Sequence, residues 1–227
     1  MHAVVTGANR GIGLEFVRQL LARGDTVDAT CRDLEMATEL RSLACDQLRI
    51  HRVEVTSDAD VAALVAAIGD TAIDLVLNVA GGYGGTRQSL RALDLADVIK
   101  TFDANAVGAL RISLALLPNV RRGRGKKLVH LTSGMGSIED NRSGGFYAYR
   151  MSKAALNMMS RTLAVDLRPE GIFSAVINPG WVKTDMGGPS APTPVADSVS
   201  MMLHEIERAT LEDSGAFLDY KGGRYAW

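Results

Sequence analysis

The chain has 227 residues, and its 25 lysines and arginines nearly cancel its 26 aspartates and glutamates, which leaves no electrostatic footprint for nucleic acid or an anionic membrane. Two cysteines, Cys31 and Cys45, are too few for a disulfide framework and fit a reducing compartment, and no apolar run reaches membrane-spanning length. The size suits one compact domain over 1–227 with a sizeable core.

The chain enters an apolar stretch at once, HAVVTG, without the charged n-region and long h-region of a leader, so a first strand and a cytoplasmic protein are expected. Ile12 to Arg23 has helical periodicity, with Ile12, Phe16, Val17, Leu20 and Leu21 on one face and Gly24 as its stop. TVDATC predicts a second strand, followed by a helix through Met36, Leu40 and Leu43. LRIHRVEV predicts a third strand, and Ser57-Asp58 caps a helix carrying Val61, Leu64, Val65 and Ile68. IDLVLNVAG is almost continuously apolar, as strands are in a sheet covered on both faces. A long helical segment, roughly Leu95 to Leu117, precedes the strand KLVHLTS. Between them the basic run Arg121, Arg122, Arg124, Lys126, Lys127 reads as a solvated loop. A helix from about Tyr149 to Leu167, the strand FSAVINPG and a short strand near GAFLDY complete the pattern. Met186 to Val199, rich in Gly, Pro and Ser, reads as a mobile loop, a substrate loop at about 186–199.

Strand and helix alternate throughout, which predicts an α/β protein: a three-layer, Rossmann-like, doubly wound parallel sheet with helices on both faces. Right-handed crossovers then set the helix N-termini along the carboxyl edge of the sheet, where ligands bind.

TGANRGIG falls where the first strand turns into the first helix, with glycines at 7, 11 and 13. Such a loop lets a pyrophosphate approach the main chain, and the helix beyond offers free N–H groups. The spacing TGxxxGxG resembles the classical short-chain dehydrogenase/reductase superfamily. The resemblance covers essentially the whole chain, because Asn78-Val79-Ala80-Gly81, Asn105, Ser133, a Tyr/Lys pair and Pro179-Gly180 follow in order. GGFYAYRMSKAALN, NPGWVKTDMGG and Trp227 are similar to the C-factor and sniffer-like carbonyl reductase branch. Two positions depart from the family pattern: Val79 stands where a second asparagine is usual, and Glu54 where an aspartate contacts adenine.

The resemblance implies a nicotinamide dinucleotide held by Gly7, Asn9, Arg10, Gly11, Ile12 and Gly13 at the phosphates. It further implies Glu54, Val55, Asn78, Ala80 and Gly81 at the adenosine half, and Pro179, Gly180, Val182 and Thr184 at the carboxamide end. An NAD-binding relative carries a carboxylate near Cys31; here Arg32 follows, and Arg10 lies in the glycine loop. Two guanidinium groups suit a 2′-phosphate, so NADP(H) is favoured, with NAD(H) left open through Asp28 or Asp33.

Hydride transfer to a carbonyl needs a proton on the oxygen, and a tyrosine supplies one readily when its pKa falls well below about 10. A lysine four residues away on a helix shares the tyrosine's face. Tyr149 and Lys153 have that spacing; Tyr147, six residues from Lys153, does not and reads as a pocket-wall or packing residue. By the resemblance Ser133 hydrogen-bonds the substrate oxygen, and Tyr149 moves the proton. Lys153 binds the nicotinamide ribose and acidifies the tyrosine, while Asn105 holds a water linking the lysine to solvent. Trp181 is open between core and substrate pocket. His2, His51, His130 and His204 are scattered and match no metal-ligand spacing, so no metal is expected. The expected activity is a carbonyl reductase-like oxidoreductase acting on aldehydes, ketones or quinones and their alcohols. The alternative is an NAD(P)-binding signalling or redox-sensing protein of C-factor type with incidental turnover. The resemblance also implies a homodimer or homotetramer.

Overall fold

Seven short strands, every pair parallel, run through the centre of the computed structural model, which describes residues 1–227. They are β1 (His2–Val5), β2 (Thr26–Cys31), β3 (Leu48–Arg52), β4 (Leu75–Asn78), β5 (Lys127–Leu131), β6 (Phe173–Asn178) and β7 (Phe217–Asp219), ordered β3-β2-β1-β4-β5-β6-β7. The order reverses between β1 and β4, and in a doubly wound sheet the crevice for ligands opens at that switch point. The Rossmann-like expectation is met.

Alternate residues of each strand serve opposite faces. Ala3, Val5, Val27, Ala29, Leu75 and Leu77 pack under α1 (Gly11–Ala22) and α7 (Val195–Arg208), through Phe16, Leu20, Met202 and Ile206. Val4, Val76 and Leu128 face the other way, against α3 (Asp58–Ile68), α5 (Gly108–Arg122) and α6 (Tyr147–Leu167). Ser57 caps α3 by accepting the Asp60 N–H at 3.2 Å, as its sequence signal predicts. No helix is long and apolar enough to cross a membrane.

Several boundaries differ from the sequence reading. The second helix shrinks to α2 (Thr38–Arg41), because Met36 is 74% exposed and no apolar face extends in its direction. The segment from Leu95 is α4 (Leu95–Phe102), a π-helical turn at Asp103–Val107, then α5, which runs past Pro118 to Arg122. The basic run is therefore only in part a loop. Arg121 pairs with Glu170, and the Lys127 ammonium donates to the Ile206 and Ala209 carbonyls at 2.5 and 2.8 Å, closing the C-terminal end of α7. The loop expected to reach Val199 stops at Pro194. Val199, Met202, Leu203 and Ile206 recur at helical spacing and bury together, so α7 starts at Val195.

Two of the four histidines, His2 and His51, meet in space. Asp28, fully buried in β2, accepts from Arg49 at 2.7 Å and lies 2.6 Å from the Nε2 atoms of both His2 and His51. Burial pushes this carboxyl up, but the hydrogen bonds from His2, His51 and Arg49 prevail and hold it far below the usual carboxylate range.

Candidate active site

A cleft of about 1430 Å³ opens along the carboxyl ends of the strands, over the switch point. One hydroxyl braces its floor: Thr6 Oγ1 accepts the N–H groups of Val79 and Ala80 at 3.0 and 3.1 Å, tying the turn after β1 to the turn after β4. Two glycines of the loop have no room for a side chain. A Cβ on Gly13 would sit 2.3 Å from the Gly7 carbonyl oxygen, and one on Gly7 would sit 2.7 Å from Ala80 Cα. Arg10 precedes α1 without capping it, so the N–H groups of Gly11, Ile12 and Gly13 face the cleft as helix-terminal donors. That donor set fits a pyrophosphate.

Arg10 and Arg32 stand at the rim, both largely exposed, the first 3.0 Å from Asp185 and the second 3.6 Å from Glu54. The carboxylates weighed for an NAD ribose are engaged elsewhere. Asp28 is buried and bonded to Arg49, and Asp33 accepts the N–H groups of Glu35 and Met36 at 2.9 and 3.2 Å. Val55, Ala80, Gly81, Pro179, Gly180, Val182 and Thr184 line the cleft together with Asn9 and Glu54. Asn78 does not. It lies behind the wall, its amide donating to Ser113 at 3.0 Å and 3.1 Å from the ring of the fully buried His130. Burial, reinforced by the Lys153 charge, lowers the His130 pKa to about 3, so this ring is neutral.

At the inner end, α6 puts Tyr149 and Lys153 on one face, 8% and 5% exposed, both lining the cleft. The Lys153 ammonium donates to the Leu131 carbonyl at 2.7 Å and stands 5.7 Å from the centre of the Tyr149 ring. Ser133, two residues past β5, lines the cleft with them, its hydroxyl accepting the Met135 N–H at 3.1 Å and favouring the ionised phenol. The acidity differs from the sequence expectation. Burial pushes the phenol up to about 12, opposed by the Ser133 hydroxyl and reinforced by Tyr83, while burial lowers Lys153 to about 8. Desolvation outweighs the lysine because the ammonium is turned to Leu131 rather than to the phenol oxygen.

Asn105 sits inside the π-turn, a feature that often marks functional positions. Its Oδ1 accepts the Gly82 N–H at 2.7 Å, and its amide donates to Gly82 O and Ser152 Oγ, both at 2.9 Å. The side chain thus clamps the turn after β4 to α6. Trp181, open between two readings, is a cleft residue: it is 56% exposed and its indole donates to Gly187 O at 2.8 Å. Tyr147 is half-buried and lies outside the cleft wall, which rules out the pocket-wall reading.

Sequence reasoning missed Tyr83, whose ring packs 4.9 Å from that of Tyr149 and lines the cleft, and Gln88, which is buried beneath it. The signal for Tyr83 was its place in Gly-Gly-Tyr-Gly-Gly just past the carboxyl end of β4.

A sheet switch point, a glycine loop opening a helix, and Ser133 with the buried Tyr149 and Lys153 at one end of the cleft together define a nicotinamide-dependent oxidoreductase architecture. The family model described as short chain dehydrogenase matches residues 1–194, and the chain belongs to that family. A Myxococcus xanthus protein named C-signal is 48% identical over 155 residues, which cover 68% of this chain and 93% of that protein. The carbonyl reductase Sniffer of D. melanogaster has the same fold with a TM-score of 0.92 at 32% identity, covering 100% of this chain and 99% of its own. An NADPH-bound carbonyl reductase from chicken fatty liver gives 0.91 at 36% identity, over 100% and 98%.

Proposed function

We propose that the protein interconverts a carbonyl compound and its alcohol with NADP(H), using Tyr149 as acid and base. The observation that carries this reading is the buried Tyr149–Lys153 face of α6, which lines the cleft together with Ser133. The bound nicotinamide supplies or accepts the hydride. In reduction, Ser133 and Tyr149 bind the carbonyl oxygen, and the phenol gives it a proton as negative charge develops there. The resulting phenolate is stabilised by Ser133 and by the Lys153 ammonium. Lys153 has two N–H groups beyond the one spent on Leu131, and these bind the cofactor ribose. Tyr83 and Trp181 supply flat apolar walls, which suits aldehydes, ketones or quinones.

Arg10 and Arg32 bind the 2′-phosphate, exchanging Asp185 and Glu54 for phosphate oxygens. Arg32→Ala should raise the KM for NADPH by roughly tenfold and leave that for NADH nearly unchanged, since a charge-assisted hydrogen bond contributes about 1.5–3 kcal/mol. Initial rates with both cofactors check this; equal use of both by the unmodified protein would defeat the NADP(H) assignment.

A second reading is favoured by one finding, the likeness to a protein named as a signal. In it, dinucleotide binding matters and turnover is incidental. A Tyr149→Phe protein that binds NADPH but no longer reduces carbonyls separates the two in the producing organism: a phenotype that survives the substitution supports the signalling reading.

The protein also pairs with a second copy of itself. α4 and α5 leave Ile99, Phe102 and Leu114 exposed, and α6 leaves Met151, Met158 and Val165 exposed at helical spacing. Light scattering should give at least twice the chain mass of 24.2 kDa. Leu114→Glu combined with Met158→Glu should reduce that to one chain.

A further inference from the structure

Phe146, the residue before α6, has a left-handed backbone with φ of 51° and offers no capping side chain. The first N–H groups of a helix need partners from outside it. Here they come from the segment between β4 and α4. Gln88 Oε1 accepts the N–H of Tyr149 at 3.1 Å, and the Gln88 main-chain carbonyl accepts that of Tyr147 at 3.5 Å. Tyr149 is the third residue of α6, and its N–H is one that an ordinary N-cap oxygen would take. The other end of the same side chain is equally committed. Gln88 Nε2 donates to the Tyr83 and Gly85 carbonyls at 2.8 and 3.1 Å, and the residue is only 4% exposed.

One amide therefore fixes two things at once: the peptide that carries Tyr149, and the peptide that carries the aromatic ring packed 4.9 Å from it. A glutamine buried for packing alone would be satisfied by any donors and acceptors. This one spends its polar atoms on the two tyrosines whose relative placement sets the position of the phenol.

We propose that Gln88 is a positioning residue for Tyr149, a helix cap supplied from a distant part of the chain that holds the phenol against Ser133. The proposal rests on the reading of Tyr149 as the acid/base. Displacing a reacting group by about 1 Å can cost 10²-fold in rate, and fraying of the first turn of α6 would do so. The glycine loop that faces the pyrophosphate belongs to a different element, α1, and Lys153 lies a turn deeper in α6 than the frayed residues, so cofactor binding is largely kept.

The test compares Gln88→Met, which keeps the volume and removes every polar atom, with Gln88→Glu, which keeps an acceptor for the Tyr149 N–H. Hydrogen exchange of the Tyr149 amide in the protein alone reads the cap directly. In Gln88→Met that amide should exchange at least about tenfold faster while the Leu156 amide, deeper in α6, is unchanged. The kcat for carbonyl reduction should fall by about 10–100-fold with NADPH affinity held within about twofold. Gln88→Glu keeps the acceptor but turns a second carboxylate oxygen on the Tyr83 and Gly85 carbonyls, so it should restore the protection in part and kcat in step with it. Across both variants, kcat that follows the amide protection supports the proposal, and kcat that moves independently of it overturns it, whatever the change in Tm. Should Gln88→Met fail to fold, Gln88→Glu is judged by the same rule. Tyr149→Phe run in parallel keeps the two ideas apart. If that variant stays fully active, the acid/base reading has failed, and the exchange result still reports on the cap.

Discussion

Replacing Tyr149 by Phe should lower kcat for carbonyl reduction by about 10²–10⁴-fold while NADPH still binds, because the substitution removes one oxygen and with it the proton donor. Tyr147→Phe should stay within a few-fold of the unmodified rate, since that ring is outside the cleft wall. The comparison bears directly on the helix-spacing argument, and equal losses from both substitutions would refute it. The pH dependence follows from the same pair. Reduction needs a protonated phenol and a charged lysine, and with Tyr149 at about 12 and Lys153 at about 8 both conditions hold at neutral pH. The reductive rate should therefore decline as pH rises through about 8, where Lys153 loses its proton. Alcohol oxidation needs the phenolate and should run the opposite way, gaining as pH rises. Lys153→Met should abolish the limb near 8 along with most of the activity. A reductive profile flat from about pH 6 to 10 would count against this assignment.

Asp28→Asn should destabilise the fold by about 3 kcal/mol, the low end of the range for breaking a buried ion pair, because Arg49 remains partly open to water. The amide keeps the shape but loses the charge that His2, His51 and Arg49 converge on. For a chain of this size such a loss lowers Tm by roughly 6–12 °C. The folded carboxyl lies below its unfolded value of about 4. Its contribution is thus fully present above that pH and is lost as pH falls through the folded value. Urea unfolding at pH 7 and at about pH 3 should show the gap between wild type and variant closing in acid. A gap independent of pH would show that Asp28 acts through packing alone.

What the sequence carries and what it conceals divide along physical lines. The glycine loop, the Tyr149–Lys153 spacing and the Ser57 cap are short-range patterns whose geometry the backbone enforces, and each lies where the pattern puts it. α7 was missed although Val199, Met202, Leu203 and Ile206 mark one helical face, because the Gly/Pro-rich stretch before it reads as a loop that runs into the helix. The Asp28 cluster is different in kind. His2, Asp28 and His51 meet only because three parallel strands pair in one register, which no local pattern records. Gln88 is hidden for the same reason, capping a helix 61 residues away. The phenol acidity could not be read from spacing at all, because it depends on how deeply the pair is buried and where the ammonium points.

The π-turn at Asp103–Val107 fixes how α4 and α5 may vary. Such a turn holds one residue more than regular α-helix would, and each residue of an α-helix turns the chain by about 100°. Deleting a residue there would not tidy the helix locally. It would rotate α4 as a whole relative to α5, turning the exposed Ile99 and Phe102 relative to Leu114 and pulling Asn105 from Gly82. An insertion or deletion of one residue in this stretch would change the phase of α4 against α5, which no single substitution does.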